Sequence, residues 1–271
     1  MRRTTVVTTA RGRHEHLRLQ RLGLARSRRA VDHVVVAMGD PDLAASLEDV
    51  VPTTVVELTA DGHLPLARAR NVGAAQALRQ GADLLVFLDV DCVPDPALPD
   101  AYHHAAGLHP HALLCGPVSY LPPPPPEGYD LDRLDHLATP HPARPAPLPG
   151  EVVLDERGHD LFWSLSFAVR PQTWATIGGF DEGYVGYGAE DTDLGRRAAA
   201  HGVAMAWVGG ARSHHQFHPV SDPPVEHLED ILRNAERFAG LWGEWPMRGW
   251  LAAFARAGLV QRRPDGSYER T

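Results

Sequence analysis

Three short stretches of this chain hold the residue types that do chemistry, at spacings that let them act together. "VFLDVDCVPDP" carries Asp89 and Asp91 two residues apart, directly after an apolar run. An extended backbone points alternate side chains the same way, so both carboxylates face one side. Two such acids repel unless a cation lies near them, and a hard divalent ion, Mn2+ or Mg2+, takes oxygen ligands and usually keeps a substrate phosphate as well. The second stretch, "GGFDEGYVGYGAEDTDLGRR", runs through glycines and aromatics to Glu190, Asp191 and Asp193 at an expected helix start. Free N–H groups in a first helical turn hold carboxylates in position. The third, "SHHQFHP", groups His214, His215 and His218, imidazoles that combine with carboxylates around Mn2+.

Each stretch also has a plainer explanation. Asp89 and Asp91 could end a strand before Pro94 and Pro96, Glu190 and Asp191 could cap a helix, and three of 16 histidines could share a surface. Phe180, Tyr184, Tyr187 and Trp163 could be ordinary core aromatics. The elements between the stretches favour a common site. β-branched or apolar runs at 4–10, 33–40, 53–58 and 83–91 alternate with helical patterns at 14–29 and 65–81. Strands this apolar, separated by helices, imply an α/β fold with a parallel sheet covered on both faces. Ligands of such sheets bind at the carboxyl ends of the strands, where Asp89 and Asp91 fall.

Downstream, ten of the 24 prolines cluster in "LPPPPPEGYD" and "ATPHPARPAPLPG", which predicts a long loop or flap with no core of its own. "DLFWSLSFAVRPQTW", residues 160–174, reads as a buried strand, followed by the acidic loop, a helix at about 192–201 and a strand at 203–210. From Glu226 one apolar helical face runs through Leu228, Ile231, Ala235 and Phe238, and the last residues are expected to fray. The division is one large domain over 1–225, with a first half to about 120, a Pro-rich loop over about 121–158 and a second half over about 159–225. A helical extension over 226–260 and a flexible tail over 261–271 follow.

The net charge is -8, which argues against a nucleic-acid partner. Nine arginines do fall in the first thirty residues, from Arg2 to Arg29, but apolar positions interleave with them as on the solvated side of a helix. Cys92 and Cys115 supply neither a disulfide framework nor a cysteine zinc site, and a reducing cytoplasm suits them. No run approaches the roughly 20 apolar residues that span a bilayer, so any membrane contact is expected to be peripheral.

"LARARNVGAAQALRQGADLLVFLDVDCVPDP" resembles the donor-binding half of family 2 glycosyltransferases with the GT-A fold, whose common form is Arg-Asn-x-Gly, a helix, an apolar strand and Asp-x-Asp. "GGFDEGYVGYGAEDTDLGRRAAAHG" is similar to the acceptor-side segment of the β-1,4-galactosyltransferases and polypeptide N-acetylgalactosaminyltransferases. The resemblance implies a GT-A, mainly parallel α/β sheet and a metal-dependent, inverting transfer from a nucleotide-diphosphate sugar, a UDP-sugar, to an acceptor hydroxyl. It makes Asp191 the general base and Glu190 a ligand of the acceptor hydroxyl, with Asp193 at the helix start or on the acceptor. Asp91 and His215 become metal ligands with His214 as the fallback, Asp89 reaches the ribose or the metal, and His218 lies near the diphosphate. Thr8, Thr9 or Arg11, and Asp40, correspond to the base and ribose positions, Arg70 and Asn71 to the donor side, and Trp163, Tyr184 and Tyr187 to the acceptor. The family's Asp-Asp-x-Ser-x-Asp run is replaced here by "AMGDPD".

Other classes fit less of the chain. A nucleotidyltransferase needs a glycine-rich phosphate loop and a lysine after the first strand, and this chain has "TTARGRHE" and no lysine. A metal-dependent hydrolase would close its ligands around water and ignore nucleotides. A sugar-binding module without catalysis would have no use for Asp89, Asp91, Glu190 and Asp191 together.

Overall fold

The β-branched runs become the strands that carry the site. In the computed structural model, which describes residues 3–155 and 158–271, the chain starts with β1 (Thr4–Ala10), α1 (His14–Ala25), β2 (Asp32–Met38) and β3 (Thr53–Leu58). It continues through α2 (Leu66–Arg79) to β4 (Leu84–Leu88). Arg2 lies outside the described residues. These four strands run parallel in the order β3-β2-β1-β4. Every residue of β1 and β4 is buried. Their alternation sends Val7, Leu85 and Phe87 to one face and Val6, Val86 and Leu88 to the other, so both faces need cover. Helix α2 covers the first face closely because Gly73 has no side chain. A Cβ there would collide with Val7 Cγ1 and lie 3.2 Å from Val36 Cγ2.

After β5 (Cys92–Pro94), α3 (Leu98–Leu108) packs on the second face through Tyr102 and leads to β6 (Leu113–Cys115) and β7 (Val118–Tyr120). The Pro-rich segment then departs from expectation. It forms a helical turn, α4 (Leu134–Leu137), and pairs β8 (Thr139–Pro140) with β7 before β9 (Val152–Asp155). It also contributes a small core, in which Leu121 and Leu134 bury against Val93. Arg144 within it is 7% exposed, its guanidinium 5.0 Å from the Trp207 ring and 5.4 Å from the Trp163 ring.

The strand expected over 160–174 shrinks to β10 (Ser166–Val169), because Gly158–Leu161 forms a 3-10 turn and Pro171 opens α5 (Pro171–Ile177). Proline suits a first helical turn, where its missing N–H is not needed. β10 is antiparallel to both neighbours, β4 and β6. With β11 (Met205–Val208) the sheet reads β3-β2-β1-β4-β10-β6-β11-β9, mixed but mainly parallel. Helix α6 (Glu190–Ala200) joins α2 and α5 on the first face through Leu194 and Ala198. β12 (Ser213–His215) enters a second sheet, β5-β12-β7-β8.

The extension consists of α7 (Leu228–Trp242) and α8 (Arg248–Arg256). The tail expected to fray forms a hairpin of β13 (Val260–Arg262) and β14 (Tyr268–Arg270), with Tyr268 edge-on to Trp245 at 5.1 Å. Nor is every N-terminal arginine solvated. Arg21, 3% exposed, donates to the carbonyls of Glu48 and Val51 and to Thr53 Oγ1. Cys92 and Cys115 are buried free thiols. No helix among the described residues is long and apolar enough to cross a membrane.

The α2 contact gives a direct test. Gly73→Ala forces a methyl into Val7 and should destabilise the protein by about 1–3 kcal/mol, read as a lower denaturant midpoint with unchanged slope.

Candidate active site

Strand β4 delivers Asp89 at its carboxyl end, and the turn that follows is fixed from α1. Gln20 Nε2 donates to the carbonyls of Asp89 at 2.7 Å and Cys92 at 3.1 Å. Arg70 rises from α2 beneath this turn. It is 5% exposed, donates NH2 to Asp89 Oδ1 and NH1 to Glu190 Oε1, each at 3.0 Å, and lies over the Phe180 ring at 5.2 Å. Burial works against its charge, but Asp89 and Glu190 outweigh that and raise its pKa. The second oxygen of Glu190, Oε2, is buried without a partner among the described residues.

Two residues on, Asp91 meets the histidines. Strand β12 runs antiparallel to β5, and its alternation turns His215 toward Asp91. His215 Nε2 lies 3.5 Å from Asp91 Oδ1, and His218 Nε2 lies 3.5 Å from Oδ2. The three donor atoms fall within 4.8 Å of one another, a mixed nitrogen and oxygen set suited to Mn2+. Arg13 donates to Asp91 Oδ2 at 2.8 Å. Burial favours the neutral acid, yet His218, His215 and Arg13 prevail and hold Asp91 below the usual carboxylate range. His214 points the other way, 3.4 Å from Asp135, and burial lowers its pKa. It does not face Asp91.

Asp191 sits in the first turn of α6, half-buried, with Oδ1 accepting from Thr192 N at 2.7 Å. Burial first, and then the neighbouring Glu190 charge, push its pKa up to about 7. Tyr187 is exposed nearby, and burial together with the charges of Asp191, Glu190 and Asp89 raises its hydroxyl pKa. On the far side Trp163 meets His141 edge-on at 4.8 Å, and Tyr120 lies 5.0 Å from His215.

Several expected site residues make structural contacts of their own. Thr8 is buried within β1, donating to Gln20 Oε1 at 2.9 Å and lying 3.1 Å from His33 Nε2. Asn71 donates to the Phe180 carbonyl and to Glu182 Oε1, and accepts from Phe180 N, so it clamps the glycine-rich loop to α2. Tyr184 is 1% exposed beneath Arg237. Asp193 is also 1% exposed, its oxygens taken by Arg197, Trp242 and Tyr184. Arg11 donates to the Gly62 carbonyl at 3.3 Å. Asp40 accepts from Gly12 N at 2.7 Å and lies 2.9 Å from His14 Nε2; burial opposes its charge, but His14 and Gly12 lower its pKa. Arg13, Gln20, Tyr120 and His141 were not anticipated. Arg13 alone gave a hint, as a charge just before the first helix, on the strand-end side of the sheet.

Carboxylates at the carboxyl end of a central strand, an acid opening a helix beside them and a mixed sheet of this order define the GT-A glycosyltransferase fold. Solved structures agree. S. aureus TarS 1-349 in complex with UDP-GlcNAc superposes with a TM-score of 0.59 at 14% identity, covering 88% of this chain and 66% of that one. GalNAc-T7 with UDP, GalNAc and Mn2+ gives 0.58 at 16% identity, covering 89% and 48%. The family model described as "N-terminal domain of galactosyltransferase" matches residues 158–219, which contain the acidic loop and the histidines. The validoxylamine A glucosyltransferase of Streptomyces hygroscopicus subsp. jinggangensis (strain 5008) is 28% identical over 242 residues, 79% of this chain and 55% of its own length. That of Streptomyces hygroscopicus subsp. limoneus is 32% identical over 82 residues, 28% of this chain and 17% of its own length. This chain thus spans about half the length of the first relative. The fold is thus the GT-A fold, and the sequence is similar to glucosyltransferases over most of its length.

The Arg70 bridge makes a clear prediction. Arg70→Ala leaves the buried Glu190 and the half-buried Asp89 without their shared cation and should cost about 3 kcal/mol of stability in denaturant titration.

Proposed function

We propose that this chain is a metal-dependent, inverting glycosyltransferase that moves a sugar from a nucleotide-diphosphate sugar, a UDP-sugar, to an acceptor hydroxyl. The observation that carries the reading is the meeting, at the end of β4, of an Asp-His-His donor set with a carboxylate of raised pKa. The glucosyltransferase relatives and the UDP-bound structural neighbours support it, and GalNAc-T7 supports a divalent ion of the Mn2+ kind.

Asp91, His215 and His218 would hold the ion, which when bound offsets the charge of the departing diphosphate. Asp89, held by Arg70, lies on the donor side of the same turn. As the acceptor oxygen attacks the anomeric carbon, Asp191 takes its proton. The bond from that carbon to the diphosphate oxygen breaks, and the electron pair leaves with the nucleotide. A carboxylate with a pKa of about 7 is more basic than an ordinary aspartate and still ionised above neutrality, which is what a general base requires. Glu190 Oε2, buried and unpartnered, is available to receive an acceptor hydroxyl.

Thermal-shift titration with UDP, GDP, ADP and TDP, each with and without Mn2+, should give a metal-dependent rise with UDP. No shift with any nucleotide, beside a clear response to metal alone, would favour a hydrolase. The relatives' name makes UDP-glucose and validoxylamine A the first donor and acceptor to try. Asp191→Asn should lower kcat by about 10^2–10^4 while leaving UDP affinity intact. Unchanged turnover removes Asp191 from the role.

Turnover by the unmodified protein should rise with pH through about 7 and level off above it, as Asp191 loses its proton. The same raised pKa means the folded state binds this proton more tightly than the unfolded chain does. Its stability contribution therefore worsens as pH rises from the unfolded value toward 7. Asp191→Asn should gain stability relative to the parent at pH 8, and the gain should vanish in acid.

A further inference from the structure

We propose that the C-terminal helices form part of the acceptor site, where Tyr187, His227 and Trp250 make a platform that binds the C–H face of a polyhydroxylated ring. The proposal rests on the glycosyl-transfer reading and adds to it two residues from outside the GT-A sheet.

Tyr187 lies three positions before Glu190, 37% exposed among residues that are otherwise mostly packed. Its ring stacks on His227 with centroids 4.5 Å apart and planes at 19°. Trp250 follows at 6.0 Å and 31°. His227 directly precedes α7 and Trp250 lies on α8, so two of the three rings come from the extension. Tyr187 is the ring that both others meet, four positions before Asp191 in the chain. Tyr187 lies near enough to Asp191, Glu190 and Asp89 for their charges to act on its hydroxyl.

The extension also fixes this loop. Asn234 donates Nδ2 to the carbonyls of Val185 at 3.1 Å and Tyr187 at 3.2 Å, and Asp230 accepts from Tyr187 N at 3.2 Å. His63 closes the rim, 2.8 Å from Asp230. Gly186 and Gly188 permit the close approach. A Cβ at Gly186 would strike the Asp230 carboxylate, and one at Gly188 would lie 3.0 Å from Met247 Sδ. A rigidly held row of rings with O–H and N–H groups at its edge suits a sugar-like ring, apolar on its face and hydroxylated around its rim.

The test is saturation-transfer NMR on the full chain with UDP and Mn2+ present, using methyl β-glucoside and myo-inositol as probes. The unmodified protein should transfer saturation to ring C–H protons of at least one probe. Trp250→Ala and His227→Ala should cut the signal by about fivefold with UDP affinity unchanged, and Trp250→Phe should keep most of it. Equal signals in the alanine variants overturn the proposal. So does an equal loss in Trp245→Ala, whose ring packs on Tyr268 outside the platform, since the helices would then act through stability alone. If neither probe binds while UDP does, the platform is rejected and the donor reading stands. If UDP also fails to bind, the transfer reading falls and takes the platform with it.

Discussion

Arg70 lies where three parts of the molecule meet. Its guanidinium is buried between Asp89, at the end of a central strand, and Glu190, at the start of a helix more than a hundred residues later. Glu190 could not sit so deep beside the half-buried Asp89 without a shared cation, because charge repulsion and lost hydration would act together. Asn71, next along the same helix, holds the loop that leads to Glu190, and Gly73 lets the helix lie close enough to the sheet for both neighbours to reach. The Arg-Asn-x-Gly pattern is thus one mechanical device, in which a cation, a clamp and a gap fix the distance between the two halves of the cleft.

A similar economy governs the other carboxylate. Asp91 is surrounded by Arg13, His215 and His218, so its charge is balanced in the protein alone. Arg13 reaches it from the left-handed residue that opens α1, a backbone conformation that costs energy outside glycine and persists where surrounding structure requires it. Strand alternation separates His215 from His214 and gives each its own acidic neighbour on opposite faces of the small sheet.

The strands, the main helices and the grouping of Asp89 with Glu190 and of Asp91 with His215 and His218 were legible in the sequence because they depend on local order and period. Direction was less so. On a helix, Asp193 lies about 200° around from Asp191, so one of the two had to turn inward. Thr8 shows the strand version of the same effect, buried within β1 beside Gln20 and His33. Asn71 looked like a donor ligand because it sits in the motif, whereas its partners lie over a hundred residues away and no spacing rule reaches them. The Pro-rich region defied its composition for a related reason. Proline forbids long ladders, but one short strand pair, a few leucines and a buried arginine were enough to order the segment.

Strand β10 belongs by sequence to the acceptor half, yet it is sewn antiparallel between β4 and β6, in the middle of the donor half's sheet. The proposed division into donor and acceptor halves therefore has no mechanical seam. A fragment ending after the Asp-x-Asp turn would leave the all-buried strand β4 as an open edge, with Leu85 and Phe87 bared beside unpaired backbone groups, and such edges recruit other chains. The donor half is a half only in function. As a physical object it needs the later segment to close it, and during synthesis it has to wait for that segment before it can exist as a stable body.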